Sequence, residues 1–253
     1  MAFHDALPVD WENLYPFPFF VQVTATAAAN ALTRLKKFTR LRRLSLMHAG
    51  DTRCPFNDNV KGVLQTLSLT HLALEYIHEV SVSTIAETCT NLQSLSLSNC
   101  QLLDEAVADD AFPKLKHLCL CEQVSVKVFR TIFHAARGLT DLRLDGANVV
   151  APFVTWPFRA VREPYKFLQR LTLGTDKSLE EMSGDPVVLR ATFRLMPALQ
   201  WLCTDSYDIR IFAQCYHPSL ALAWTRCTTC MAEFPKVDAS QEEIWRKVLG
   251  DEK

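Results

Sequence analysis

Six stretches of this chain share the pattern L-x-x-L-x-L. They are LRRLSL from Leu41, LQTLSL from Leu64, LQSLSL from Leu92, LKHLCL from Leu115, LTDLRL from Leu139 and LQRLTL from Leu168. A weaker copy, LQWLCT, starts at Leu199. Successive starts lie 23, 28, 23, 24, 29 and 31 residues apart. Within each copy the last two leucines alternate with other residues, which is the period of a strand with one buried face. One such strand cannot bury its leucines alone, so neighbouring copies must stack. The spacing predicts two rows of core leucines. One holds Leu44, Leu67, Leu95, Leu118, Leu142 and Leu171. The other holds Leu46, Leu69, Leu97, Leu120, Leu144 and Leu173.

The pattern and its period resemble the leucine-rich repeat. The resemblance spans roughly residues 32–210 and implies an α/β fold, a horseshoe-shaped solenoid with a parallel concave sheet and convex helices. The connections carry helical spacing where that fold needs it. Val82, Ile85, Ala86 and Cys89 recur at one face, as do Val128, Phe129, Ile132, Phe133 and Ala136. Each turn is expected to run strand, loop, helix, loop. Residues 1–31 are expected to form an N-terminal segment with an alanine-rich capping helix from VQVTATAAANALTRLKKF, and 211–253 a C-terminal cap. The tail DASQEEIWRKVLGDEK reads as a helix, with Ser240 and Glu243 as a capping box and Ile244, Trp245, Val248 and Leu249 as its apolar stripe.

One copy is more specific. In IAETCTNLQSLSLSNCQLLDEAV, Cys89, Asn91 and Leu92 lead into the strand and Cys100 follows it. This stretch resembles the cysteine-containing repeats of F-box leucine-rich-repeat proteins. That family implies a protein–protein interaction module recognising substrates for a cullin-type ubiquitin ligase, with a cullin adaptor as a further partner. An F-box would open near a Leu-Pro. Leu7 and Pro8 are present, but the segment then runs into prolines and aromatics, and no F-box is recognisable. The alternative is a leucine-rich scaffold or regulator outside ubiquitination.

Composition narrows the classes further. The net charge is −1, so no overall field draws the chain to nucleic acid. The basic run Arg34, Lys36, Lys37, Arg40, Arg42 and Arg43 interleaves with Leu35, Phe38 and Leu41. It reads as the wet side of an amphipathic segment. The uncharged stretch from Leu14 to Thr33 is broken by Pro16, Pro18, Gln22 and Asn30, so no membrane span is expected. Nine irregularly spaced cysteines suit free thiols in a reducing, intracellular compartment, cytoplasmic or nuclear. Nucleotide, hydrolase and metalloprotease motifs are absent, so neither an enzyme nor a cofactor is expected.

The strand register selects candidate partner-binding residues on the concave face: Arg43, Ser68, Ser96, His117, Asp141, Arg143, Asp145, Arg170 and Trp201. Cys119 and Cys121 share that face with His117. Of these, Arg143, Asp145, Arg170 and Trp201 are the expected anchors, since Arg and Trp are common hot-spot types. For a metal, Cys227-x-x-Cys230 supplies half of a zinc set that Cys215 and His217 can complete. The simpler reading of Cys215 is a small buried hydrophobe, and no metal is expected.

Overall fold

The computed structural model describes residues 20–24, 32, 35–48, 54–121, 125–146, 166–174, 193–204 and 206–223. They fall into two compact units, divided between Gly138 and Leu139. Both units are α/β and built on open, all-parallel sheets.

In the first unit the sheet order is β1 (Phe20–Thr24), β2 (Arg43–Met47), β4 (His71–Glu75), β6 (Ser94–Ser98), β7 (His117–Cys121). A short parallel pair joins β3 (Cys54–Pro55) to β5 (Ile77–His78). Three helices lie between strands: α1 (Asp58–Thr66), α2 (Val82–Thr88) and α3 (Val126–Ala135). In the second unit the order is β8 (Asp141–Asp145), β9 (Arg170–Gly174), β10 (Trp201–Thr204), β11 (Ala221–Ala223), with α4 (Tyr207–Tyr216) before β11.

The leucine rows form, with one shift. Leu44, Leu72, Leu95 and Leu118 lie in register across the first sheet, and Leu46, Leu74, Leu97 and Leu120 run beside them. All eight are buried. In the second unit Leu142, Leu171, Leu202 and Leu222 are in register. Leu144 and Leu173 continue the next row, which ends at the buried Thr204.

The shift lies in the second copy. LQTLSL from Leu64 is not a strand; Leu64 belongs to α1. The strand comes from LTHLAL, which starts five residues later at Leu69. The reason is local. The Asn57 side chain accepts the backbone N–H groups of Asn59 and Val60, which caps a helix there. Val60, Val63 and Leu64 then bury one helical face. Leu67 and Leu69 remain buried, but in the connection rather than in the leucine rows. Ser68 therefore leaves the strand face and gives its place in the pattern to Ala73.

Backbone hydrogen bonds repeat with the motif. Leu41, Leu92, Leu115 and Leu199 each donate to the carbonyl three residues back, at 2.8 to 3.2 Å. The carbonyls of Arg42, Thr70, Gln93, Thr140 and Gln169 each accept two amides from the next strand's start, at 2.8 to 3.0 Å. After β4, β6 and β8 the chain turns through positive φ at Tyr76, Asn99 and Gly146. Their amides donate to Ser98, Cys121 and Gly174 respectively. The matched cysteines serve this backbone. Cys100 is buried and its Sγ donates to the carbonyls of Leu74 and Ser98, each at 3.3 Å. Ile77, buried, holds the equivalent position after β4.

Three further expectations change. Within the segment expected as the amino-terminal capping helix, Phe20–Thr24 is a strand, paired in parallel with β2. Its sequence FVQVT is rich in β-branched and aromatic residues, which favours a pleated strand. Residues 99–116 form no α-helix, so that turn departs from strand, loop, helix, loop. A bridge from Val80 to Leu102 holds this stretch extended, and Glu105 accepts the Ser81 hydroxyl at 2.8 Å. The parallel strand order also runs past residue 210: β11 extends the second sheet from residues expected to form only a cap. The expected helices α2 and α3 do form, with Val82, Ile85, Ala86, Val128, Phe129, Ile132 and Phe133 buried. The expected tail helix lies outside the described residues. Among the described residues no helix is long and apolar enough to cross a membrane.

Candidate functional site

Because strand side chains alternate, each sheet has one face that buries leucine and one that does not. The second face carries the candidates, and its content follows from register.

In the second unit, Asp141, Arg170, Trp201 and Ala221 share one cross-strand row. Arg170 Nε forms an ion pair with Asp141 Oδ1 at 3.4 Å, and Asp141 Oδ2 accepts the Thr140 hydroxyl at 3.0 Å. The Arg170 guanidinium carbon lies 4.9 Å from the Trp201 ring centroid, a cation–π stack. The Arg170 side chain is nonetheless 59% exposed. An exposed ion pair contributes little to stability. What Asp141 and Trp201 provide is orientation: they hold one edge and one face of a planar, five-donor group while most of it meets solvent.

The next rows repeat the theme. Arg143 is paired in register with Thr172, and Asp145 with Gly174. Arg143 Nη2 donates to Asp145 Oδ2 at 3.2 Å along the strand. A Cβ at Gly174 would collide with the Asp145 carboxylate, so glycine there leaves the space that Asp145 fills. Two acids, two arginines and one indole thus form a patch with no net charge and several exposed polar groups.

In the first unit the rows are Arg43, His71, Ser94, His117; Ser45, Ala73, Ser96, Cys119; and Met47, Glu75, Ser98, Cys121. Arg43, Ser96 and His117 are where the sequence places them, and Arg43 and His117 are exposed. Ser68 is exposed too, but beside α1; its carbonyl accepts Arg42 Nη1 at 3.2 Å. The residues that sequence reasoning missed are His71, Ala73 and Glu75, because the strand was placed too early. The signal that finds them is the second L-x-x-L-x-L match, at Leu69. His71 Nδ1 lies 2.9 Å from the Thr70 hydroxyl. Burial lowers the His71 pKa, and the nearby charges of Arg43 and His117 lower it further. Cys119 Sγ and Cys121 Sγ lie 3.5 Å apart.

The basic run behaves as an amphipathic segment. Leu35 and Leu41 are buried while Lys37 and Arg40 are exposed, and Arg42 is bound to backbone carbonyls. Of the zinc candidates, Cys215 is half-buried, and His217 Nε2 lies 3.3 Å from the Phe193 carbonyl. Cys227 and Cys230 lie outside the described residues. Among the described residues no three His, Cys, Asp or Glu side chains are grouped to hold a metal ion.

Compared with models of known protein families and with curated proteins, the sequence matches none.

Proposed function

We propose that the chain is a leucine-rich repeat solenoid whose exposed strand face binds a protein partner, and that its role is binding rather than catalysis. The observation that carries this is Arg170, held between Asp141 and Trp201 with its side chain mostly exposed. A guanidinium already oriented loses less side-chain entropy on meeting a partner, and Arg and Trp dominate interface energetics. The recurring hydrogen bonds at the strand starts support the repeat architecture, since they recur with the leucine motif. On that architecture the exposed strand face is the concave one.

Within this reading, substrate recognition of the F-box leucine-rich-repeat type is favoured over an unrelated intracellular scaffold. Cys89 and Cys100 support it, because both are buried and Cys100 bridges two strands, as a repeat-defining cysteine should. The experiment is affinity purification of the tagged protein from its native cells. A cullin and its adaptor among the co-purifying proteins support the ligase reading. A different stoichiometric partner without them retires that reading and leaves a scaffold. A partner list unchanged by joint alanine substitution of Arg143, Asp145, Arg170 and Trp201 removes the proposed binding face.

A further inference from the structure

We propose that Cys119 and Cys121 form a two-thiolate site for a soft, thiophilic d10 cation of the zinc, cadmium or cuprous class. The two residues are alternate positions of β7 and share its leucine-free face. Both are partly exposed thiols, and their sulfurs lie 3.5 Å apart.

Two sulfurs this close can be joined directly or through an inserted atom. A disulfide needs Cβ atoms about 3.5–4.5 Å apart. Alternate residues of an extended strand sit about 6.6 Å apart along the chain. Closing that span would bend β7, whose backbone is held in a parallel ladder with β6. An inserted ion removes the conflict. With metal–sulfur bonds of about 2.3 Å, a sulfur separation of 3.5 Å corresponds to an angle of about 100° at the metal, near tetrahedral. Thiolate ligands select soft ions. Among the described residues no third His, Cys, Asp or Glu is grouped with the pair, so the remaining coordination positions would fall to solvent or to a donor from a partner. The reaction exchanges protons for metal: two thiols bind one divalent ion as two thiolates and release two protons to the buffer, without change of oxidation state.

Two other cysteines differ. Cys89 and Cys100 are buried, and burial raises both pKa values, Cys100 to about 11. Those thiols resist both deprotonation and access.

The test uses the full chain with Cys227 and Cys230 replaced by serine, so that their C-x-x-C cannot contribute. Cadmium ion is titrated and its thiolate charge-transfer absorption followed. One cadmium per chain is expected, with the absorption lost in Cys119→Ser and in Cys121→Ser. Absent absorption, or absorption that persists when both are serine, overturns the proposal. Alkylation of the unsubstituted protein gives a second readout that needs no variant. Cadmium should slow iodoacetamide at Cys119 and Cys121 together, and unchanged rates at both overturn the site.

Discussion

Replacing Leu95 with alanine probes the leucine rows at their most enclosed point. Leu95 is fully buried on β6, in register with Leu72 on one side and Leu118 on the other. The substitution removes three carbons, which at about 0.8 kcal/mol each is roughly 2.4 kcal/mol of lost transfer energy. The cavity adds to this. Its in-register neighbours Leu72 and Leu118 sit on hydrogen-bonded strands, which cannot close in without breaking the ladder. A residual void of about 60 Å³ costs a further ~1.5 kcal/mol at the usual ~24 cal/mol per Å³. The expected loss is therefore about 4 kcal/mol, within the ~2–5 kcal/mol range for buried leucines. Urea unfolding followed by circular dichroism reads it as a lower midpoint at unchanged slope. Ser96→Ala, one residue on and pointing to the other face, should stay within about 0.5 kcal/mol. A Leu95→Ala loss below about 1 kcal/mol would refute the stacked register.

Tyr76→Asn should stabilise the protein by up to ~1 kcal/mol, because Tyr76 turns through positive φ where Asn99 and Gly146 stand in later copies; a lower urea midpoint would contradict this. The lowered His71 pKa means the unfolded chain binds its proton first, so stability contributed by neutral His71 is present above the ordinary 6.5 and falls as pH drops through it, levelling off below the folded value. His71→Gln should flatten that part of the pH–stability curve relative to the parent, and parallel curves would exclude His71 as its source. Cys100 should resist iodoacetamide at pH 8 in the folded protein and react on unfolding, because its thiol is buried and its pKa is raised to about 11; rapid native labelling, located by mass spectrometry, would count against its burial.

Much of the strand framework is legible in the sequence because its leucines do two jobs at once: they mark the repeat and fill the core. Where another pattern overlaps, the motif misleads. At Leu64, L-x-x-L-x-L coincides with a helical face, and the cap at Asn57 decides for helix. Strands without leucine pairs are invisible to the motif: β1 reads FVQVT, and β11 keeps only Leu222. The connection at 99–116 departs from the general strand, loop, helix, loop order because Glu105 and the Val80–Leu102 bridge tie it to the preceding turn. The exposed face is a middle case. Alternation picks out Asp141, Arg170 and Trp201 individually. Their contact is set by parallel register between strands about 30 residues apart, and no local signal encodes which neighbour each side chain leans on.

The most direct measurement of the binding-face proposal is calorimetric titration of the purified partner into the parent protein and into Arg170→Ala and Trp201→Ala separately. As hot-spot residues, each should cost at least ~2 kcal/mol, about a 30-fold weaker Kd. A control in the first unit, Lys127→Ala on helix α3, whose side chain makes an exposed pair with Asp104, should bind like the parent. Equal affinity for all four proteins would contradict the claim that this strand face is where the protein meets its partner.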